Sequence, residues 1–361
     1  MLLKLLPMKK HNFSAGPCIL PQDVLKKASA AILNFNNDNL SLIEISHRSA
    51  PFVNVMEKAR SLVLELLNLE DKGYTVLFLQ GGASLEFLMV PYNLLNMNGK
   101  AAYLDTGTWS SKAIKEAKLF GDIEVVASSK DKNYNYIPKN YKIPADADYF
   151  HCTSNNTIFG TQLKSFPKTH GLMVCDMSSD IFSRQLDFSQ FDLIYAGAQK
   201  NMGPAGTTLV VVKEDILGKN GRQIPSMLDY KVHISKDSMY NTPSVFAVYV
   251  SMLTLQWLKD LGGIKAIEKI NNAKAELLYN EIDHNPLFRG AAEKEDRSNM
   301  NATFLLTDDS LKEKFDTMWK SAGINGLNGH RSVGGYRASM YNALPLESVQ
   351  VLVDIMKKLN S

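Results

Sequence analysis

The sequence predicts an α/β protein: a large domain with a mostly parallel sheet covered by helices, and a smaller α+β domain at the C-terminus. Three observations carry this. From about Pro21 to Asp215, short and nearly continuous apolar runs alternate with helix-like segments, the pattern of strands buried on both faces. Near Pro243 the pattern changes to two long helices followed by mixed elements. At 361 residues the chain also exceeds one typical domain.

In order, GYTVLFLQGG reads as a strand and turn, and SLEFLMVPYNLL as a helix. KAAYLDTG is a strand, SSKAIKEAKLFG an amphipathic helix, and DIEVVASS a strand. DADYFHCTSN, GLMVCD, FDLIYAG and TTLVVVKED follow as strands bounded by turn residues. SVFAVYVSMLTLQWLKDLGG and IKAIEKINNAKAELLYNEI are long helices. After them come the strand NATFLLT, the helix SLKEKFDTMWKSAG, the glycine-rich strand region NGHRSVGGYRASMY and the helix LESVQVLVDIMKKL. These boundaries give a large domain over 17–262 and a small one over 263–361, with residues 8–16 packing onto the latter.

A net charge of +3 arises from 40 basic and 37 acidic residues spread along the chain, with no block that would suit nucleic acid or a membrane surface. Cys18, Cys152 and Cys175 have no metal-ligand spacing, no metal is expected, and a reducing compartment fits. MLLKLLPMKK is too short for a signal h-region, and Met8 is a candidate start. A cytoplasmic enzyme is the expectation.

Lys200 is the most informative residue. It follows the apolar run of FDLIYAGAQKNMGPAG and precedes a turn of small residues, which aims an amine into a crevice. Asp176 ends the strand of GLMVCDMSSD in the same way. In such sheets ligands bind at the carboxyl ends of strands, where both residues fall. A lysine that can hold an aldehyde as a Schiff base, beside a carboxylate that can pair with a pyridinium, is what pyridoxal 5'-phosphate chemistry needs. A loop lysine alone reads as a surface residue, so the surrounding features decide.

Gly81, Gly82, Ala83 and Ser84 open a helix, where free N–H groups and the helix dipole favour a phosphate. Trp109, after the next strand, can stack on a flat ring. Thr157 can hydrogen-bond a ring hydroxyl, and Gln199 can reach the phosphate. Each has an ordinary alternative, a core tryptophan or simple turn chemistry among them. His-Arg occurs twice, as His47–Arg48 and His330–Arg331, with Arg337 close behind the second pair. Beside a cofactor site they suggest a cationic cluster for a polyanion, since arginine's fork binds carboxylate or phosphate bidentately.

The ordered set resembles the fold-type-I pyridoxal phosphate enzymes, within class V the phosphoserine aminotransferases. The resemblance spans FSAGPCILP, ISHRS, LFLQGGASLEF, DMSSD, GAQKNMGPAG, YNTPS and GHRSVGGYRASMYNA, nearly the whole chain. It implies that Lys200 and Asp176 are catalytic, Lys200 as the Schiff-base lysine and Asp176 as the pyridinium partner. It implies cofactor contacts from Ala83, Ser84, Trp109, Thr157 and Gln199, with Asn241 and Thr242 supplied by the second subunit of a homodimer. Arg337 would hold the substrate α-carboxylate, and His47, Arg48, His330 and Arg331 its distal anion, some across the dimer interface. The implied reaction takes L-glutamate and 3-phosphohydroxypyruvate to 2-oxoglutarate and O-phospho-L-serine by a ping-pong cycle in serine biosynthesis. A second phosphorylated substrate, 4-phosphohydroxythreonine, stays open. Many family members carry arginine where this chain has Ser84, so the balance of charge in the site can differ.

Other readings fit less well. A cysteine desulfurase needs a nucleophilic cysteine in a polar, glycine-rich loop late in the chain, and none is there. A ligand-binding Rossmann domain lacks GxGxxG after its first strand. An aminotransferase for serine, alanine or glyoxylate shares the cofactor residues but has little use for two His-Arg pairs.

Overall fold

A computed structural model describes residues 10–359; the candidate start at Met8 and the segment before it lie outside these. Seven strands form the main sheet: β1 (Tyr74–Leu79), β2 (Lys100–Asp105), β3 (Asp122–Ser128), β4 (Tyr149–Thr153), β5 (Leu172–Asp176), β6 (Leu193–Gly197) and β7 (Thr208–Lys213). Their order is β1-β7-β6-β5-β4-β2-β3. All neighbours are parallel except β7, which is antiparallel to both β1 and β6. The connection from β6 to β7, residues 198–207, is too short for a crossover helix, which needs about a dozen residues or more, so the chain must return antiparallel.

The sheet is apolar on both faces because helices cover both. Helices Ala50–Leu67 and Val245–Asp260 pack on one face, with Phe52, Val63, Phe150 and Val248 in the core. Helices Gly82–Leu94 and Thr108–Ala117 cover the other face over Tyr103, Val174 and Tyr195. The edge strand β3 is the exception, alternating between exposed and half-buried residues.

A second core is built on a three-stranded antiparallel sheet, β8 (Phe288–Gly290), β9 (Asn301–Leu306) and β10 (Tyr336–Ser339). Phe304 stacks on Tyr336 at 5.4 Å, and Phe315 meets the same ring edge-on at 4.9 Å. His11 and Asn12 pair in parallel with Ile324 and Asn325, and Phe13 and Ile19 are buried in this second core. Helix Gly263–His284 serves both cores. Ile264 and Ile267 pack with the main sheet, whereas Ala275, Leu278 and Ile282 pack with the second. Where the change occurs, the buried Lys274 donates to the carbonyls of Met340 (2.9 Å), Tyr341 (2.8 Å) and Leu344 (3.1 Å). Those bonds tie the helix to the segment following β10.

Candidate active site

Asp176 is the last residue of β5 and is buried. Its Oδ1 accepts from the Ser178 backbone N–H at 2.9 Å. Burial pushes its pKa up, and the positive charge of Lys200 and the Ser178 bond oppose this. Lys200 lies just past β6, in a turn closed by Gly203 N–H to Ala198 C=O at 2.8 Å. A Cβ on Gly203 would sit 3.2 Å from Ser251 Cα, so the turn packs against helix Val245–Asp260 only with glycine there.

Lys200 is half-buried as a residue, but its amine is surrounded by protein and donates to Thr157 Oγ1 at 2.9 Å. Burial lowers its pKa to about 8, with Asp176 resisting and Arg337 assisting. Between about 8 and the ordinary lysine value the unfolded chain binds the proton and the folded one does not, so stability rises with pH across that window. In cofactor-free protein, wild type should therefore gain stability relative to Lys200→Met as pH rises from about 8 towards 10.5, measured by denaturant titration. A constant difference across that range would place the amine in ordinary solvent.

The Lys200 amine opens on a cavity of about 480 Å³ lined by Trp109, Thr157, Gln199, His330, Arg331 and Arg337 as well. Seven of the sequence-derived site residues thus converge on one space. Trp109 is the second residue of helix Thr108–Ala117; its ring centroid is 5.8 Å from the Lys200 amine, and its buried Nε1 has no partner. Arg337 projects from β10, donates from Nη1 to the Thr157 carbonyl at 3.3 Å, and leaves a buried Nε unpartnered. His330 accepts from the Ser332 backbone N–H at 3.2 Å, and burial with the nearby Arg337 and Arg331 lowers its pKa. Among the described residues no acidic side chain lines the cavity.

Asp176 does not itself line the cavity, and the remaining expected residues sit elsewhere in the single chain. Ala83 and Ser84 occupy the first turn of helix Gly82–Leu94, entered through Gly81 (φ +97°) and Gly82 (φ +67°), but do not line the cavity. Asn241 and Thr242 lie beside Gln80, whose Nε2 donates to the Thr242 carbonyl at 2.6 Å. His47 and Arg48 are in the turn before helix Ala50–Leu67, away from the cavity. His47 is buried with Nε2 unpartnered, and Arg48 is exposed.

Three neighbours of the site escaped the sequence reading. Gly16 (φ +137°) lies 3.5 Å from Gln199 and Lys200, measured from where its Cβ would be. The Cys18 thiol donates to the Lys200 carbonyl, and burial raises its pKa to about 12, which leaves it inert as a nucleophile. Lys112 also lines the cavity, three residues after Trp109 on the same helix. The i, i+3 spacing was the available signal.

These residues fit pyridoxal phosphate. Lys200 offers an amine whose depressed pKa favours the neutral nucleophile, and Asp176 is a buried carboxyl whose ionised form a cation beside it favours. The unpartnered Trp109 Nε1 and Arg337 Nε are buried donors with no protein acceptor, and the start of helix Gly82–Leu94 has no side-chain cap and leaves N–H groups free.

Comparison with known proteins agrees. The family described as aminotransferase class-V matches residues 10–352. A phosphoserine aminotransferase from Flavobacterium psychrophilum is 75% identical, covering 98% of this chain and 99% of its own length. The solved phosphoserine aminotransferase from Bacillus circulans subsp. alkalophilus superposes with a TM-score of 0.94 at 44% identity, over 98% of each chain. The PLP-bound phosphoserine aminotransferase from Trichomonas vaginalis does so with a TM-score of 0.92 at 35% identity, covering 97% of this chain and all (100%) of its own. Sheet, cavity and near-full-length similarity agree: this chain belongs to the class-V aminotransferases.

Proposed function

We propose that the chain is a phosphoserine aminotransferase that uses pyridoxal phosphate to move an amino group between L-glutamate and 3-phosphohydroxypyruvate. The observation that carries this reading is the single cavity joining the Lys200 amine to a cationic wall free of carboxylates. Substrates with two anionic ends suit that wall.

When bound, pyridoxal phosphate supplies an electron sink for the pair left at the substrate Cα on deprotonation. Asp176, fixed by the Ser178 N–H, would pair with the pyridine nitrogen and keep it protonated. Trp109 would cover the ring, and Thr157 and Gln199 would hold its polar edge. Lys200 would hold the cofactor, and its amine is placed to serve as general base and acid for the substrate Cα proton. Arg337 grips the α-carboxylate, its guanidinium anchored on the Thr157 carbonyl. His330 and Arg331 face the distal anion, joined by His47 and Arg48.

Asn241, Thr242, His47 and Arg48 lie outside the cavity of one chain, which favours a homodimer in which a second copy completes each site. Sedimentation should find the active species dimeric, and a fully active monomer would contradict this part. The three cysteines are free thiols, in keeping with a cytoplasmic location. Among the described residues no helix is long and apolar enough to cross a membrane.

Coupled transamination across phosphorylated and plain keto acids tests the reading, and 3-phosphohydroxypyruvate should be strongly preferred over pyruvate and glyoxylate. The arginines should divide the work. Arg331→Ala should lower kcat/KM for phosphoserine and glutamate by roughly tenfold or more, because losing one partner of a charge-assisted bond typically costs ~2–5 kcal/mol and this site is partly wet. Arg337→Ala should weaken every amino acid alike, alanine included. Equal losses for both variants on all three substrates would overturn the division.

A further inference from the structure

Just outside the cavity lining three chain segments meet, and each adjoins one of the site's reactive groups. The turn 177–183 continues from Asp176, Asn201 directly follows Lys200, and residues 340–344 follow the strand that carries Arg337. Two buried asparagines join the segments. The Asn342 backbone N–H donates to Asn201 Oδ1 at 3.0 Å, and Asn201 Nδ2 donates to the Ile181 carbonyl at 3.1 Å. Asn342 Nδ2 donates to the Phe182 carbonyl at 3.0 Å. Its Oδ1 accepts from Asn271 Nδ2 at 2.9 Å, on the helix whose Lys274 binds the carbonyls of Met340, Tyr341 and Leu344.

Stability alone is a poor account of this junction. Ile181, Phe182 and Met202 beside it belong to the apolar core of the main sheet, where apolar side chains would pack without the cost of desolvating amides. The junction leaves Asn271 Oδ1 buried without a partner. It also holds Phe182 at φ +60°, a left-handed conformation unfavourable for an aromatic residue.

What the junction fixes is a spacing, and this inference rests on the roles proposed above for Lys200 and Arg337. A substrate's Cα is bonded to the carboxylate that Arg337 grips, and Lys200 must reach the proton on that Cα. Yet Arg337 belongs to the three-stranded sheet and Lys200 to the end of the main one. Thr157 touches both side chains, but the amine must leave Thr157 Oγ1 to do its work. The asparagines act on the backbone, which stays in place while the side chains move. We propose that Asn201 and Asn342 are positioning residues: they lock the Lys200 turn to the segment behind Arg337, so that the amine meets the Cα of a substrate whose α-carboxylate is already held.

The test is the half-reaction of cofactor-loaded Asn201→Ala and Asn342→Ala with L-glutamate. Each variant should lose roughly 30-fold in the saturating rate, because a misplacement of about 1 Å can cost up to about 10²-fold. Half-saturating glutamate should change by less than about threefold, since Arg337 still binds. Glutarate, a dicarboxylate with no amino group to react, should bind with a similarly unchanged dissociation constant by calorimetry. The double variant should lose little more than either single one, because both hold the same junction. Asn285→Ala is the control: Asn285 is likewise buried and bonds the Met356 carbonyl at 3.1 Å, but it has no part in the junction. It should lower stability to denaturant and leave the rate unchanged. Should alanine at either position prevent folding, the near-isosteric Asn201→Asp and Asn342→Asp, which trade an amide donor for an oxygen, must show the same pattern. Rates within twofold or so of wild type, a loss confined to half-saturation, multiplying losses in the double variant, or an equal fall in Asn285→Ala would each overturn the proposal. A wild-type protein that binds pyridoxal phosphate but does not react with glutamate would instead overturn the proposed function itself.

Discussion

Lys200→Ala should retain pyridoxal phosphate without covalent attachment and lose activity by at least roughly 10²–10⁴-fold, the range that a positioned general acid–base group contributes. The residue stands alone in its position. Its amine is held 2.9 Å from Thr157 Oγ1, its pKa is depressed to about 8, and among the described residues it is the only lysine other than Lys112 lining the cavity. Lys112 lies at the rim and cannot take over both the covalent and the proton-transfer tasks. Borohydride reduction followed by peptide mapping should label Lys200 in wild type and nothing in the variant. Multiple turnover near the wild-type rate, or label at another lysine, would remove Lys200 from its assigned role.

Asp176→Asn should cost roughly 10²–10³-fold in the rate of Cα deprotonation, the typical effect of deleting one preorganised charge stabiliser. The amide is nearly isosteric and can still accept from the Ser178 N–H, so the fold should survive. What it lacks is the negative charge that keeps the pyridine nitrogen protonated. The buried setting makes this loss large, because water is not there to substitute for the carboxylate. The half-reaction with glutamate, followed by the cofactor's visible absorption, measures it. A rate within threefold or so of wild type would point to another group as the ring partner.

Much of the site was legible because it is local. Asp176 and Lys200 each sit at or just past the end of an apolar strand, and a sheet places such ends together whatever the details of its helices. Trp109 and the Gly81–Ser84 turn were readable for the same reason. Other features depended on distant geometry. The antiparallel direction of β7 follows from the short connection before it, which an apolar run alone does not reveal. Helix Gly263–His284 shows one apolar stripe in sequence, yet that stripe serves two cores in succession. Lys112 read as one of several lysines on an amphipathic helix, and only the cavity distinguishes it from Lys115 and Lys118. The two His-Arg pairs look equivalent in sequence, whereas the fold brings one to the cavity and leaves the other out of its lining. Their joint action needs a second copy of the chain, and that information is not local.

The central claim is that this cavity transaminates amino acids with a phosphorylated side chain. The most direct measurement is a single-turnover half-reaction: cofactor-loaded enzyme is mixed separately with O-phospho-L-serine, L-glutamate, L-serine and L-alanine, and the cofactor's absorption is followed. Phosphoserine and glutamate should each convert the cofactor fully and release one keto acid per site, while serine and alanine lag by roughly a hundredfold or more, as loss of a charge-assisted anchor predicts. Conversion by serine or alanine at rates matching phosphoserine would contradict the account, because the cationic wall around Arg331 would then have no part in choosing the substrate.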